Sequence, residues 1–382
     1  MFERLISIDP NSDKSFFLFG PRGTGKTTWL HKHFANAIHI DLLSDASFRK
    51  LASNPSELES LIPAKSDRWV VIDEVQKVPA LLNEVHRLIE SRGEKFVLTG
   101  SSARSLRRSG TNLLAGRALN YRMHPITAVE LGGQFNLEES LQYGHLPARF
   151  DEANVEKYLE SYVNTYVKEE VMQEGLTRSI GDFHRFCNVA SFSQAGLVNV
   201  THISRESALG RSTVASYFSI LEDLLLSFEL PVFSLKAKRK LIQRRKFFFF
   251  DVGVFRTLRP KGPLDEGEVN GPAVETLVAQ ELRAINDYFD LKFEIFYWRT
   301  KAGLEVDFVL YGEKGLIAIE VKAGKLSSSK QLRGLREFKI DYPVAKTYVF
   351  HGGTDIEYHD HITAIPLRQA LPKLPEILQD NF

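Results

Sequence analysis

From Phe16 to about Ile126, short apolar runs alternate with helical stretches. FFLFG, AIHIDLL, WVVIDE and KFVLTGSS are bounded by Gly, Asp or Ser. Continuous apolar runs of this length suit strands covered on both faces, and the stretches between them supply the crossovers that a parallel sheet requires. Near Glu138 the pattern changes to longer helical segments, LEESLQYG and then EANVEKYLESYVNTYVKEEVMQ, which places a boundary between Gly133 and Gly144. Further on, ISRESALGRSTVASYFSILEDLLLSF predicts a short helix, a turn at Gly210 and a longer helix capped by Ser212, the outline of a helix-turn-helix. After Gly271 the α/β pattern returns, with helix AVETLVAQELRAI, strands near KFEIFYWR, GLEVDFVLY and LIAIEVK, and helix SKQLRGLREF. The expected architecture is α/β in three parts: a parallel-sheet domain at 1–135, a helical and winged-helix region at 136–260, and a second α/β domain at 261–382.

A chain of 382 residues is long enough for two or three such domains, each with its own core. Its net charge of +1, with 25% charged and 43% hydrophobic residues, describes a soluble globular protein whose charge has to be read locally. The single cysteine, Cys187, excludes an internal disulfide framework and most cysteine-ligated metal sites, which suits a reducing compartment. MFERLISIDP has no cleavable apolar core, and no stretch approaches the ~20 apolar residues that span a bilayer. The expectation is a cytoplasmic protein with no membrane partner.

Candidate chemistry begins at Gly20-Pro21-Arg22-Gly23-Thr24-Gly25-Lys26-Thr27, with Thr28 following. The pattern G-x-x-x-x-G-K-[ST] falls after an apolar strand and before a helix, the context in which backbone N–H groups and a helix N-terminus cradle phosphates. In that setting Lys26 reaches the β and γ phosphates of ATP and Thr27 ligates Mg²⁺. Trp69-Val-Val-Ile-Asp73-Glu74 ends a buried-type strand on two acids; Asp73 takes the metal role and Glu74 the base role in hydrolysis. Thr99, Ser101 and Ser102 end a third strand and either sense the γ-phosphate or simply make a turn. Arg104 and Arg117 lie beyond it, and Arg117 is the preferred arginine finger, acting in cis or from a neighbouring subunit.

Residues Gly303 to Lys322 predict a β-hairpin with its turn on Glu313–Lys314. In that register Asp307 faces Glu320 and Glu305 faces Lys322, all four on one face, with Val306, Phe308, Ile319 and Val321 on the other. Facing carboxylates repel unless they are protonated or bridged by a cation, and a hard divalent metal is the natural resolution. Glu275, in the preceding helix, would complete that site. The plain alternative is a solvated hairpin with a Glu305–Lys322 salt bridge. Between the two halves, Lys236, Lys238, Arg239, Lys240, Arg244, Arg245 and Lys246 make seven of eleven residues basic. With Arg205, Arg211 and Ser212 at the starts of the two helices, this is the footprint of a surface that meets nucleic-acid phosphates. Winged helices also dock proteins, so a protein partner stays open.

Asp307, Glu320 and Lys322, after a helix bearing Glu275, resemble the PD-(D/E)xK nuclease core, in which acids bind Mg²⁺ and the lysine assists attack by water. Val306 stands where the family name has proline, and Gln331 where such nucleases often carry another polar residue. The whole chain is similar to a bacterial and archaeal group with an AAA-type ATPase domain followed by winged-helix and restriction-endonuclease-like parts. The motifs are FGPRGTGKTT, VVIDEVQKVP, LTGSSARSL, LLAGRA with MHPITAVEL, GHLP with YVNTYVKEEV, KFFFFDVGV, and YWRTKAGLEVDFVL with IAIEVKAGK. GHLP at Gly144–Pro147 departs from a more usual Gly-Gly-Tyr/Phe-Pro element. The resemblance implies that Lys26, Thr27, Asp73 and Glu74 do nucleotide chemistry and that Glu275, Asp307, Glu320 and Lys322 mark a nuclease-like site. Joined to the basic segment, the P-loop site leads to the expectation of an ATP-hydrolysing, DNA-binding homo-oligomer of the AAA class, a motor that remodels or translocates on DNA, branched or forked. Two other readings stay beside it: an ATP-dependent switch that binds a protein, and a Mg²⁺-dependent endonuclease gated by ATP.

Overall fold

The strand SFFLF, Ser15–Phe19 (β1), is buried at every position because it pairs on both edges and is covered on both faces. It belongs to a parallel sheet with Ile38–Asp41 (β2), Val70–Asp73 (β3), Phe96–Gly100 (β4) and Ala118–Arg122 (β5), in the order β2-β3-β4-β1-β5. The four apolar runs thus become the four strands that the pattern predicts. The fifth strand, ALNYR, has no apolar run to announce it: an edge strand with partly exposed positions needs none. The computed structural model describes residues 2–9, 12–64, 68–101, 114, 116–167, 171–172, 179–235, 241–260, 262, 266–326 and 328–380.

The chain divides into two compact units, one of Ile6–His124 with Glu222–Leu226 and one of Met1–Leu5, Pro125–Leu221 and Ser227–Phe382. In the first, Phe17, Phe19, Val70, Ile72, Phe96 and Leu98 from the sheet pack against Leu81, Leu82, Val85 and Leu88 of the helix Leu81–Arg92. That helix is amphipathic, with its apolar residues three and four apart, and it ends where Gly93 turns to φ 68.

In the second unit, the helices Val200–Glu206 and Arg211–Asp223 are followed by Ser227–Leu230 (β7) and Lys246–Phe249 (β8). With Gly196–Leu197 (β6) these strands form an antiparallel sheet ordered β6-β8-β7. Ser212 does not cap the longer helix: the first helical residue is Arg211, and the Gly210 carbonyl already accepts the Val214 N–H at 3.0 Å. Arg205 lies in the last turn of the shorter helix, not at its start.

The same unit holds a six-stranded sheet made of Glu294–Arg299 (β9), Glu305–Gly312 (β10), Gly315–Lys322 (β11), Lys346–His351 (β12), Glu357–His359 (β13) and Ile362–Pro366 (β14). Their order is β13-β14-β12-β11-β10-β9, and the helices Glu266–Tyr288 and Arg333–Asp341 both pack on β11. The hairpin β10–β11 runs in the expected register from Phe308↔Ile319 to Gly312↔Gly315. On its other edge β10 shifts by one residue between Val306 and Val309. Val306 therefore joins Val309 in the core with Leu335 and Phe338 and does not share a face with Phe308, because a bulge breaks the two-residue alternation. Among the described residues, no helix is long and apolar enough to cross a membrane.

Gly144 ends the helix Leu137–Tyr143 at φ 66, and a Cβ there would meet the Asp251 carboxylate. That carboxylate accepts the His145 N–H at 2.7 Å and caps the helix Val252–Leu258 through the Val254 N–H at 3.1 Å. Gly144→Ala combines backbone strain with overpacking, so it should cost about 2–4 kcal/mol of stability. Urea unfolding checks this, and a loss under about 0.5 kcal/mol, the size of an ordinary surface substitution, would contradict it.

Candidate functional site

The loop after β1 turns through Gly23 at φ 81 and Gly25 at φ 90, a backbone region that favours glycine. Gly20 is held to glycine by space, since a Cβ there would run into the Met123 carbonyl. Lys26 and Thr27 open the helix Lys26–His33, so the loop's last residues carry both the helix N-terminus and its side chains. The Lys26 ammonium is buried and folded back on its own loop, donating to the carbonyls of Gly20 at 2.7 Å and Pro21 at 3.1 Å. Thr24 closes the same turn by donating its hydroxyl to Pro21 O at 2.8 Å. Arg22 is half-buried, and Thr27 and Thr28 are exposed.

The strand order places β4 between β1 and β3, so the loop and the two acids stand about two strand spacings of ~4.8 Å apart. Side chains close that distance. Thr27 donates its hydroxyl to Asp73 Oδ2 at 2.8 Å, while Thr99, at the end of β4, donates to Asp73 Oδ1 and accepts the Glu74 N–H at 3.2 Å. A hydroxyl and a carboxylate oxygen in direct contact form a donor set that fits a hard divalent cation. Glu74 sits in the left-handed region at φ 59, uncommon for a residue with a side chain, and Gln76 binds its carboxylate while donating to Ser101 Oγ at 3.1 Å. Thr99 and Ser101 thus lie against the acid pair. Gln76 was not anticipated, although its place two residues after Glu74 was a usable signal.

Arg117 pairs with Glu90, and that hydrogen bond, with the arginine's charge, holds the Glu90 carboxyl below its usual range. Ser102 and Arg104 lie outside the described residues.

In the second unit, the expected acids converge on an unexpected partner. Lys246, the first residue of β8, has its side chain 3% exposed and places Nζ 2.7 Å from Glu275 Oε2, 3.1 Å from Asp307 Oδ1 and 3.2 Å from Glu305 Oε1. Arg299 holds the other Glu305 oxygen at 3.1 Å, Lys322 holds Glu320 at 2.5 Å, and the Val321 N–H donates to Asp307 Oδ2 at 2.9 Å. Burial pushes the Glu275 carboxyl up to about 7, with Asp307 adding to the shift and Lys246 opposing it. Glu320 rises well above its ordinary value for the same first reason, with Asp307 again adding to it. Burial also works against the Lys246 charge, but Glu275, Asp307 and Glu305 reverse this and hold the ammonium well above its ordinary value.

Two readings change here. Lys246 is interior, not part of the basic surface, because the residues after it are a fully apolar strand that carries it inward. Glu305 pairs with Lys246 and Arg299, and Lys322 with Glu320, so the Glu305–Lys322 bridge does not form. Of the facing acids, Asp307 meets Lys246 at 3.1 Å and Glu320 meets Lys322 at 2.5 Å. Of the remaining basic residues, Arg244 and Arg245 are exposed, as are Arg205, Arg211 and Ser212. Arg245 lies 3.5 Å from Glu229 and Arg205 3.2 Å from Glu206, while Lys236, Lys238, Arg239 and Lys240 lie outside the described residues.

Comparison with known proteins bears on the domain that carries the first of these sites. Residues 12–132 match a family described as AAA domain; residues 134–265 and 270–370 match two domains of unknown function, DUF8612 and DUF4143. The first unit is thus similar to an AAA domain over most of its length. An uncharacterized protein of Haemophilus influenzae is 24% identical over 221 residues, 52% of this chain and 54% of that protein, so the chain spans about half the length of the curated relative it matches. Among solved structures, the Aeropyrum pernix ORC1 protein in complex with DNA is 12% identical, covering 64% of this chain and 86% of that one, with a TM-score of 0.28. Protein VC1899 from Vibrio cholerae is also 12% identical, covering 96% and 97%, with a TM-score of 0.24. Likenesses at these scores carry no further weight.

Thr99→Val keeps the shape and removes both contacts that tie β4 to the acids. The expected cost is about 1–3 kcal/mol, from one donor lost to a buried carboxylate and one N–H left unpaired. Denaturant unfolding measures it, and an unchanged midpoint would show that Thr99 is only a turn residue.

Proposed function

We propose that this chain is an ATP-driven machine of the AAA class that acts on DNA as a homo-oligomer. The observation that carries the reading is the Thr27–Asp73 contact beside a buried Lys26, which brings the helix after β1 against the end of β3 as a nucleotide seat requires. On binding ATP, Lys26 exchanges the carbonyls of Gly20 and Pro21 for the β and γ phosphates, and backbone N–H groups of the loop and of the helix N-terminus donate to the phosphate oxygens. Thr27 and Asp73 hold Mg²⁺, which when bound neutralises charge on the phosphates. Glu74, released from Gln76, orients the attacking water. Arg117 leaves Glu90 to reach the γ-phosphate of a neighbouring subunit.

The DNA part rests on the basic run and on the paired helices before it. Arg244 and Arg245, with Lys236, Lys238, Arg239 and Lys240 of the same segment, meet phosphates, and Arg205, Arg211 and Ser212 lie on the paired helices that would enter a groove. Nucleotide-dependent movement of the first unit then drives remodelling of, or translocation along, the bound strand.

Two measurements test this. Lys26→Ala should abolish ATP turnover, and Glu74→Gln should bind ATP with kcat about 10²–10⁴-fold lower; full activity in either removes the assignment. Turnover should rise with duplex, branched or single-stranded DNA, and DNA affinity should fall steeply with salt, by a log–log slope near −0.9 per phosphate contacted on a duplex. Turnover indifferent to every DNA, with no salt-sensitive binding, would leave the ATPase and remove the DNA.

A further inference from the structure

The resemblance to PD-(D/E)xK nucleases implies a Mg²⁺ ion among Glu275, Asp307 and Glu320, and the residues present do not fit one. A divalent cation ligated by Glu275 and Asp307 would need the oxygens that Lys246 Nζ contacts at 2.7 and 3.1 Å, while Glu320, the third acid of that set, is held by Lys322 at 2.5 Å. Two cations cannot share that position.

We infer that Lys246 is the resident cation of this cluster, so that the C-terminal site is a lysine-filled, metal-free core that does not cut DNA by metal-dependent chemistry. Three observations carry this. First, the ammonium is placed by rigid structure: Lys246 pairs through its backbone with Leu230 and Leu197 in the small sheet, and Phe247, Phe248 and Phe249 after it are all buried. Second, the neighbouring charges are also committed. Arg299 takes the second oxygen of Glu305, the Val321 N–H takes the second oxygen of Asp307, and Lys322 takes Glu320. The lysine that would assist water in a nuclease is thus spent on the acid beside it. Third, protein cations already offset most of the charge. Glu275, Glu305, Asp307 and Glu320 face Lys246, Arg299 and Lys322, so one carboxylate charge is left in excess, fewer than the two that a divalent ion would neutralise.

The consequence is a site that looks like a nuclease core in sequence and works as an anchor. Lys246 follows directly on the basic run, so the cluster fixes the end of that segment and sets where the exposed Arg244 and Arg245 emerge. The inference does not depend on the ATP or DNA reading, since it concerns metal occupancy alone.

The test uses the full chain without nucleotide and Mn²⁺ as the probe, counted by equilibrium titration. Wild type and Asp307→Ala should bind Mn²⁺ identically; an extra ion in wild type that disappears in Asp307→Ala would overturn the inference. Lys246→Met should open the seat, gaining one Mn²⁺ per chain that a second substitution, Asp307→Ala, removes. Its melting temperature should rise by about 3–8 °C with excess Mn²⁺ while wild type does not respond. A folded Lys246→Met that gains no ion would overturn the inference equally. If that variant does not fold, the wild-type comparison decides alone. Duplex DNA incubated with wild type and Mg²⁺ or Mn²⁺ should remain intact, and cutting that Asp307→Ala abolishes would again count against the inference.

Discussion

The first unit depends on one constraint: β4 lies between the strand that delivers the phosphate loop and the strand that delivers the acids. Neither loop nor acids can touch through backbone pairing, so the site is assembled by side chains that cross the gap. Thr27 reaches Asp73 from one side and Thr99 reaches both Asp73 and the Glu74 backbone from the middle strand. The parallel sheet supplies the alignment, because all three strands present their C-terminal ends together, where open α/β sheets bind ligands. The glycines supply close approach and the short polar residues supply contact. Lys26, resting on its own loop's carbonyls, keeps a buried ammonium satisfied until phosphate oxygens replace them.

The second unit meets the opposite problem, several carboxylates withdrawn from water in one place. Removing ionised groups from solvent is costly unless each is paired. Lys246, Arg299 and Lys322 pair all four acids, with a backbone N–H completing Asp307. The bulge between Val306 and Val309 belongs to the same arrangement, since it shifts β10 where its acids enter the cluster.

Much of this was legible beforehand, for identifiable reasons. The phosphate loop, the four apolar strands and the hairpin register all follow from local patterns, glycine spacing in one case and apolar runs or alternation in the others. What escaped was non-local or marginal. Strand β5 has too few buried positions to show an apolar run. A helix cap displaced from Ser212 to Gly210 is a difference of two residues, smaller than propensity can resolve. Lys246 was counted with its basic neighbours because charge runs are usually solvated, yet KFFFF carries the better signal: a lysine opening an all-apolar strand is drawn inside and must find acids there. Which acids it finds lies 29 residues away and beyond, and only the fold brings them together.

The account turns on Thr27 and Asp73 as one nucleotide–metal seat. ATP affinity measured for wild type and Asp73→Asn, with Mg²⁺ and with the metal chelated, tests it most directly. Wild type should bind MgATP at least about tenfold, or 1.4 kcal/mol, more tightly than ATP alone, and Asp73→Asn should lose that difference while still binding metal-free ATP. An Asp73→Asn protein that keeps the full magnesium enhancement would contradict it.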